Sequence, residues 1–204
     1  MNNYAYMLDG KAYINLTNKC HNACTFCIRN TGDGVKGTRL WLDDEPSDEQ
    51  AVLAAFDALG YESGEVVFCG YGEPTENMKA LVAVARELKR RGYKTRLNTN
   101  GLGSLVNGRN IAPELTDMDV VSVSLNNATP DKYLSVTRSA FGAAAFDGVL
   151  DFAKSCKKIG LNVIFSVVDI IGEKDIASSQ ALCDNMGIPL RVRKYVPDNY
   201  NGEG

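Results

Sequence analysis

The sequence predicts an α/β fold in which six parallel strands alternate with helices, forming an open, partial barrel or a curled sheet. Three observations carry this. Runs with the two-residue strand period alternate with runs of helical period; the strands have one apolar and one polar face; and the connections are short. Strand–helix–strand units with short connections imply parallel pairing and right-handed crossovers.

The predicted strands are 12–17, 65–70, 94–100, 120–126, 161–168 and 190–195. Ahead of them, "YAYMLDGKAYINL" reads as a hairpin turning on Asp9-Gly10, which adds one N-terminal antiparallel edge strand. Helical periodicity covers about 47–59, 75–91, 141–159 and 174–186. The first helix carries Val52, Leu53, Phe56 and Leu59 on one face, and "SDEQ" fits a capping box with Ser47 as cap and Gln50 as its partner. Gly92 and Gly187 end the second and last helices.

Strand alternation separates Val121, Val123 and Leu125 from Ser122, Ser124 and Asn126. Arg96, Asn98 and Asn100 share a face, as do Tyr13, Asn15 and Thr17, and Leu161, Val163, Phe165 and Val167 oppose Asn162 and Ser166. Parallel sheets covered on both sides by helices read as continuous apolar runs. Here the apolar face suits an outer layer of helices. Each buried polar group left unpaired costs about 1–3 kcal/mol, so the polar face must meet itself, water or a polar ligand. Ligands of open α/β sheets bind at the strand C-terminal ends.

A chain of 204 residues is expected to form one domain over 1–204, large enough to need no disulfide staples. The N-terminus lacks a basic leader followed by an apolar run, no apolar stretch has the length of a membrane span, and a cytoplasmic location is expected. The net charge of −3 gives no overall basic field for nucleic acid. A short polar tail follows Pro197.

Six cysteines occur: Cys156, Cys183 and Cys69 singly, and Cys20, Cys24 and Cys27 together in "NKCHNACTFCIRNTGDG", directly after the first parallel strand. Cys69 is expected to pack in the core, and Cys156 and Cys183, within helices and without partners at cluster spacing, read as core or surface thiols. The clustered three can converge on one centre. A [4Fe–4S] cube held by three thiolates would leave one iron open, since such clusters usually take four cysteines. Zinc is the alternative: a Cys3His site would need His21, the only histidine, which adjoins Cys20 and converges poorly with it, while a catalytic zinc on three thiolates and a water stays open.

The spacing of Cys20, Cys24 and Cys27, with Phe26 before the last, resembles that of the radical S-adenosylmethionine (SAM) enzymes. Further segments extend the resemblance. "FCGYGEPT" is similar to the family's Gly-Gly-Glu-Pro segment, with Gly72, Glu73 and Pro74 in its positions and Tyr71 in place of a glycine. "LNTNG" resembles a Leu-Asp-Thr-Asn-Gly segment, with Asn98 in place of aspartate, followed by Asn100. Ser122, Ser124 and Asn126 fall in the family's ribose-contacting region, and "VVDIIGEKD" loosely resembles its adenine-side segment.

The resemblance spans 13–195 and implies a partial (β/α)6 TIM-like barrel. It implies a [4Fe–4S] cluster on Cys20, Cys24 and Cys27, and SAM bound through Phe26, Gly72, Glu73, Pro74, Asn98, Asn100, Ser122, Ser124 and Asn126. SAM cleaved reductively there gives a 5′-deoxyadenosyl radical that abstracts hydrogen from a substrate, with an external flavodoxin- or ferredoxin-like electron donor. The competing class is a zinc- or cluster-binding module without catalysis. The runs "CTFCIRNTGDG" and "VVFCGYGEPT" are similar to a radical SAM subgroup named for association with TatD-family nucleases. The resemblance implies either a polypeptide substrate or a small or nucleotide-derived one. No catalytic side chain is implied. Arg138, Arg191 and Arg193 are candidates for anion contacts, and Trp41 is expected to anchor the loop after the cysteines.

Overall fold

The structure is a computed structural model that describes residues 2–195. Its main sheet has seven strands. The hairpin of β1 (Ala5–Leu8) and β2 (Lys11–Ile14) comes first, followed by β5 (Glu65–Phe68), β6 (Lys94–Thr99), β7 (Val120–Ser124), β8 (Asn162–Val168) and β9 (Leu190–Arg193). A short separate ribbon, β3 (Gly34–Val35) with β4 (Thr38–Arg39), lies between. The order is β1-β2-β5-β6-β7-β8-β9, with β1 antiparallel and the six from β2 to β9 parallel. This is a partial (β/α)6 barrel with an antiparallel edge strand; among the described residues no pairing joins β1 to β9.

The hairpin turn is where glycine is needed: Asp9 and Gly10 both have positive φ, 49° and 74°. A two-residue turn of that geometry matches the strand twist, and Asp-Gly satisfies it.

Helices α1 (Glu49–Asp57), α2 (Met78–Arg90), α5 (Ala144–Lys158) and α6 (Glu173–Met186) supply the crossovers, with the short α3 (Gly103–Val106) and α4 (Pro130–Thr137) between. In α2, Leu81, Val84, Ala85 and Leu88 are buried at helical spacing, while Lys89 and Arg90 face its carbonyl end. These residues pack with Val149 and Phe152 of α5 against Ile14, Phe68, Leu97, Val121 and Phe165 on the outer face of the sheet. The apolar strand face therefore forms the core, and the polar face turns inward.

Two local expectations change. Helix α1 is capped by Asp48, whose carboxylate accepts the Ala51 amide at 2.9 Å, and not by Ser47, whose hydroxyl turns to Asp48 instead. The carboxylate is the stronger acceptor at a helix N-terminus, where the dipole also favours its charge. Helix 75–91 begins as a 3-10 turn, Pro74–Asn77, and Asn77 caps the α-helix proper. The polar tail after Pro197 lies outside the described residues.

Part of the inner polar face is used by the protein itself. Asn15 donates to the Leu40 carbonyl at 2.8 Å and Thr17 to Glu45 at 2.6 Å, so the loop of residues 31–46 covers the β2 side. Trp41 meets Tyr71 edge-on at 5.0 Å, with the Arg29 guanidinium over its ring, and Tyr71 is buried with Tyr6, Val35 and Leu40.

Candidate functional site

The cysteine loop leaves β2 and is tied down on two sides. Asn18 pairs both ways with Leu42, accepting its amide at 3.0 Å and donating to its carbonyl at 2.7 Å. On the other side, the Ala23 and Thr25 amides donate to the Thr137 and Val136 carbonyls, each at 2.9 Å. Those carbonyls belong to the last turn of α4, where a helix has no partners of its own for them. The loop thus satisfies the last carbonyls of α4, whose C-cap, Arg138, is left-handed and is not among the residues that line the cavity.

So held, Cys20, Cys24 and Cys27 all face one cavity of about 520 Å³. They are half-buried and unbridged. Burial pushes the Cys20 thiol up, and pushes Cys24 up to about 12 with Cys27 and Cys20 beside it adding to the effect. Crowded thiols in a dry pocket resist becoming thiolates unless a cation offsets the charge, and metal or cluster binding displaces their protons.

The opposite walls come from the strand C-terminal ends. Gly72, Glu73 and Pro74 follow β5, Asn98 and Asn100 belong to the end of β6, and Ser124 and Asn126 to that of β7. Phe26 and Val168 add apolar surface. Of the residues expected to contact SAM, Ser122 is the one outside the lining; it is buried, one pleat deeper than Ser124. Gly72 passes so close to the end of β2 that a Cβ would lie 2.2 Å from the Thr17 carbonyl oxygen.

Glu73 is buried and accepts four hydrogen bonds: from the Thr75 amide and hydroxyl at 3.2 and 2.7 Å, from the Thr99 hydroxyl at 2.7 Å and from the Asn100 amide at 2.7 Å. Burial raises its pKa in spite of these donors. Asn100 is fixed by an Asx turn, its Oδ1 accepting the Leu102 amide at 2.9 Å, which points its Nδ2 at Cys20 Sγ, 3.8 Å away. Asn126, at φ 60°, presents a buried Oδ1 with no partner, as does Asn22. Buried acceptors left open in a cavity wall are suited to an occupant that carries donors, such as a ribose or an ammonium group.

His21 is engaged away from the cysteines: its Nδ1 pairs with Glu76 and its ring stacks on Phe141 at 5.1 Å. Among the described residues no three His, Cys, Asp or Glu side chains meet closely enough to hold a single metal ion. The three thiols face a common cavity rather than a common point.

Cys69 differs from its expected place in the core. It lines the cavity beside Asn98, while Cys156 and Cys183 are buried. Strand alternation puts Cys69 with Glu65 and Val67, the side that faces Arg96 and Asn98, and that side is the inner one. The sequence signal was present; the buried Val67 made it read as core. Thr75 and Thr99, which hold Glu73, were not legible in advance because their role depends on where the carboxylate goes.

The family model of the radical SAM superfamily matches residues 14–177. The chain belongs to the radical SAM superfamily. Members of this superfamily use a [4Fe–4S] cluster and SAM. The radical SAM fold recurs in solved structures of low sequence identity. Streptococcus suis SuiB bound to precursor peptide SuiA is 15% identical with a TM-score of 0.64, covering 90% of this chain and 39% of SuiB. TYW1 with a lysine-pyruvate adduct bound is 15% identical with a TM-score of 0.65, over 91% of this chain and 65% of that one. The protein anSMEcpe, solved with bound AdoMet and a peptide, is 15% identical with a TM-score of 0.65, over 90% of this chain and 50% of that one. The chain thus spans about two fifths of SuiB and half of anSMEcpe. No curated protein matches the sequence. No helix among the described residues is long and apolar enough to cross a membrane.

Proposed function

We propose that this radical SAM domain holds a [4Fe–4S] cluster on Cys20, Cys24 and Cys27 and binds SAM at the iron they leave open. When bound, the cluster supplies an electron to SAM, giving methionine and a 5′-deoxyadenosyl radical that takes a hydrogen atom from a substrate. The observation that carries this reading is the convergence of the three thiols, the buried Glu73 and the open acceptor of Asn126 on one cavity at the strand ends.

Each residue has a task that follows from its surroundings. Three thiolates around a cavity can each take a different iron. Glu73, fixed by four donors, keeps a carboxylate facing the cavity for the cofactor's ammonium group. Gly72 lets the backbone approach, Pro74 starts the following turn, and Phe26 covers apolar surface. Asn98, Asn100, Ser124 and Asn126 offer neutral polar groups to the ribose and carboxylate, and Ser122 supports them from beneath.

An external flavodoxin- or ferredoxin-like protein is the proposed electron source, and a reducing cytoplasm suits the free thiols. The subgroup associated with TatD-family nucleases is the proposed placement, on the sequence runs quoted above. SuiB and anSMEcpe are each solved with a peptide, which makes a polypeptide one substrate class to test against small molecules. A module that binds zinc without catalysis is disfavoured by His21, which is committed to Glu76.

Anaerobic reconstitution followed by iron, zinc and sulfide analysis is the first test, with 5′-deoxyadenosine formation from SAM and a strong reductant as the second. Stoichiometric zinc without sulfide would overturn the reading. An intact cluster that yields no 5′-deoxyadenosine would reduce the protein to a cluster-binding module. Cys24→Ala is expected to abolish cluster and cleavage together, while Cys156→Ala keeps both.

A further inference from the structure

The last strand carries Arg191 and Arg193, Lys194 directly follows it, and all three line the same cavity as the cysteines. Among the described residues none of them has an ion-pair partner. This is not for want of acids, since the chain has 25 Asp and Glu against 22 Lys and Arg. Six other arginines, Arg39, Arg86, Arg90, Arg91, Arg96 and Arg109, each pair with an acid. The bases left unpaired on β9 face the site.

Their orientation follows from register. Arg191 lies beside Ser166, which lies beside Ser124, and Arg193 lies beside Val168. Alternation along β9 puts both arginines on the inner face with those residues. In strand order β9 is four places from β5. On a flat sheet with strands about 4.8 Å apart, that is roughly 19 Å, more than twice the screening length of about 8 Å. Yet Arg193 and Cys69, at the end of β5, line the same cavity. The curl of the sheet turns Arg193 across the cavity.

The remaining acid in the lining does not neutralise them. Glu73 is committed to Thr75, Thr99 and Asn100 on the β5–β6 side. The contacts assigned to the cofactor run from the cysteine loop and Glu73 to Ser124 and Asn126 at the end of β7, which leaves the β9 wall for a second molecule.

We propose that Arg191 and Arg193 receive an oxyanion of the substrate, a carboxylate or a phosphate, and so hold the substrate against the β9 wall. The proposal rests on the function given above. Two guanidinium forks match either group through paired, charge-assisted hydrogen bonds, and Lys194 adds a further positive charge.

The test uses the full chain, reconstituted anaerobically and titrated calorimetrically with inorganic pyrophosphate and with succinate at low ionic strength. Arg191→Gln combined with Arg193→Gln is expected to weaken one of these probes by about tenfold or more, as loss of strong charge-assisted contacts implies. Arg86→Gln, on the outer helix layer, is expected to leave it unchanged. Preference for pyrophosphate identifies a phosphate, and preference for succinate a carboxylate. Equal binding by wild type and double variant, or binding of neither probe by wild type, overturns the proposal. So does a parallel fall in SAM affinity, because the arginines would then hold the cofactor's own carboxylate. If the double variant takes up no cluster, Arg191→Lys and Arg193→Lys carry the test, keeping the charge and removing the fork; unchanged affinity in both overturns the proposal. Protein that cleaves SAM but binds no anion keeps the function and loses this inference. Protein that takes up no cluster but binds pyrophosphate through the arginines does the reverse.

Discussion

The Glu73 carboxylate and the Asn100 backbone amide meet at 2.7 Å across the ends of β5 and β6, and this bond joins the two cofactor-side walls of the cavity. Replacing Glu73 by alanine leaves the Thr75 and Asn100 amides and the Thr99 hydroxyl without their acceptor. At about 1–3 kcal/mol for each buried group left unpaired, Glu73→Ala is expected to cost several kcal/mol in urea denaturation. SAM binding measured by equilibrium dialysis is expected to be lost as well. A variant that binds SAM normally would show that Glu73 has only the structural task.

Gly72 makes the same region intolerant of a side chain. A Cβ there would lie 2.2 Å from the Thr17 carbonyl oxygen and 2.7 Å from that of Lys19. Both are backbone atoms, and Lys19 O also accepts the Glu73 amide at 2.8 Å, immediately before Cys20. Gly72→Ala is therefore expected to cost about 1–3 kcal/mol, the usual range for overpacking, and to lower iron and sulfide content by displacing the cysteine loop. Thermal unfolding and cluster analysis report the two effects separately. An unchanged melting temperature with full cluster would contradict the close approach.

Asn100 has a task that its motif did not reveal. Its Oδ1 is used by the Leu102 amide, so its Nδ2 is left to reach Cys20 Sγ at 3.8 Å. Hydrogen bonds to the sulfurs are among the factors that set cluster potentials. Asn100→Asp keeps the Asx acceptor and removes the N–H donor, placing negative charge by the thiolate. The cluster's reduction potential, followed by electron paramagnetic resonance during redox titration, is expected to become more negative. A potential equal to wild type would mean that Asn100 does not act on the sulfur.

Legibility followed the range of the interactions. Strand alternation, the Asp9-Gly10 turn and the amphipathic stripe of α2 are local, and each placed its element correctly. Helix α4 went unread because its buried side chains are only Tyr133 and Thr137, a stripe too short for periodicity to register, although Pro130 at its start was a usable signal. The cysteine spacing pointed to a chemistry for the loop but not to its support, since Val136 and Thr137 lie more than a hundred residues away. Asn15 and Thr17 read as part of a polar face in need of partners, and those partners, Leu40 and Glu45, come from a loop with no periodic pattern. Cys69 and Arg193 line one cavity only through the curl of the sheet, which no local signal records.

Asp119 anchors the base of β6, whose other end carries Asn98 and Asn100 to the cavity. Its Oδ1 receives Lys89 at 2.6 Å, and its Oδ2 the Thr95 amide at 2.8 Å. Burial alone would push this carboxyl up; the bonds from Lys89 and Thr95 and the Lys89 charge outweigh it and hold the pKa below the ordinary value. A carboxyl depressed in the folded state contributes stability above its unfolded pKa, about 3.9, and loses it as pH falls through the lower folded value. Asp119 is 37% exposed, so solvent screening limits the contribution to about 1 kcal/mol. Wild type is expected to exceed Asp119→Asn by about that amount at neutral pH in urea denaturation. The gap should close below the folded pKa, because the protonated acid then resembles the amide. A gap that stays constant, or widens on acidification, would mean that Asp119 stabilises the strand through shape and neutral hydrogen bonds rather than through its charge.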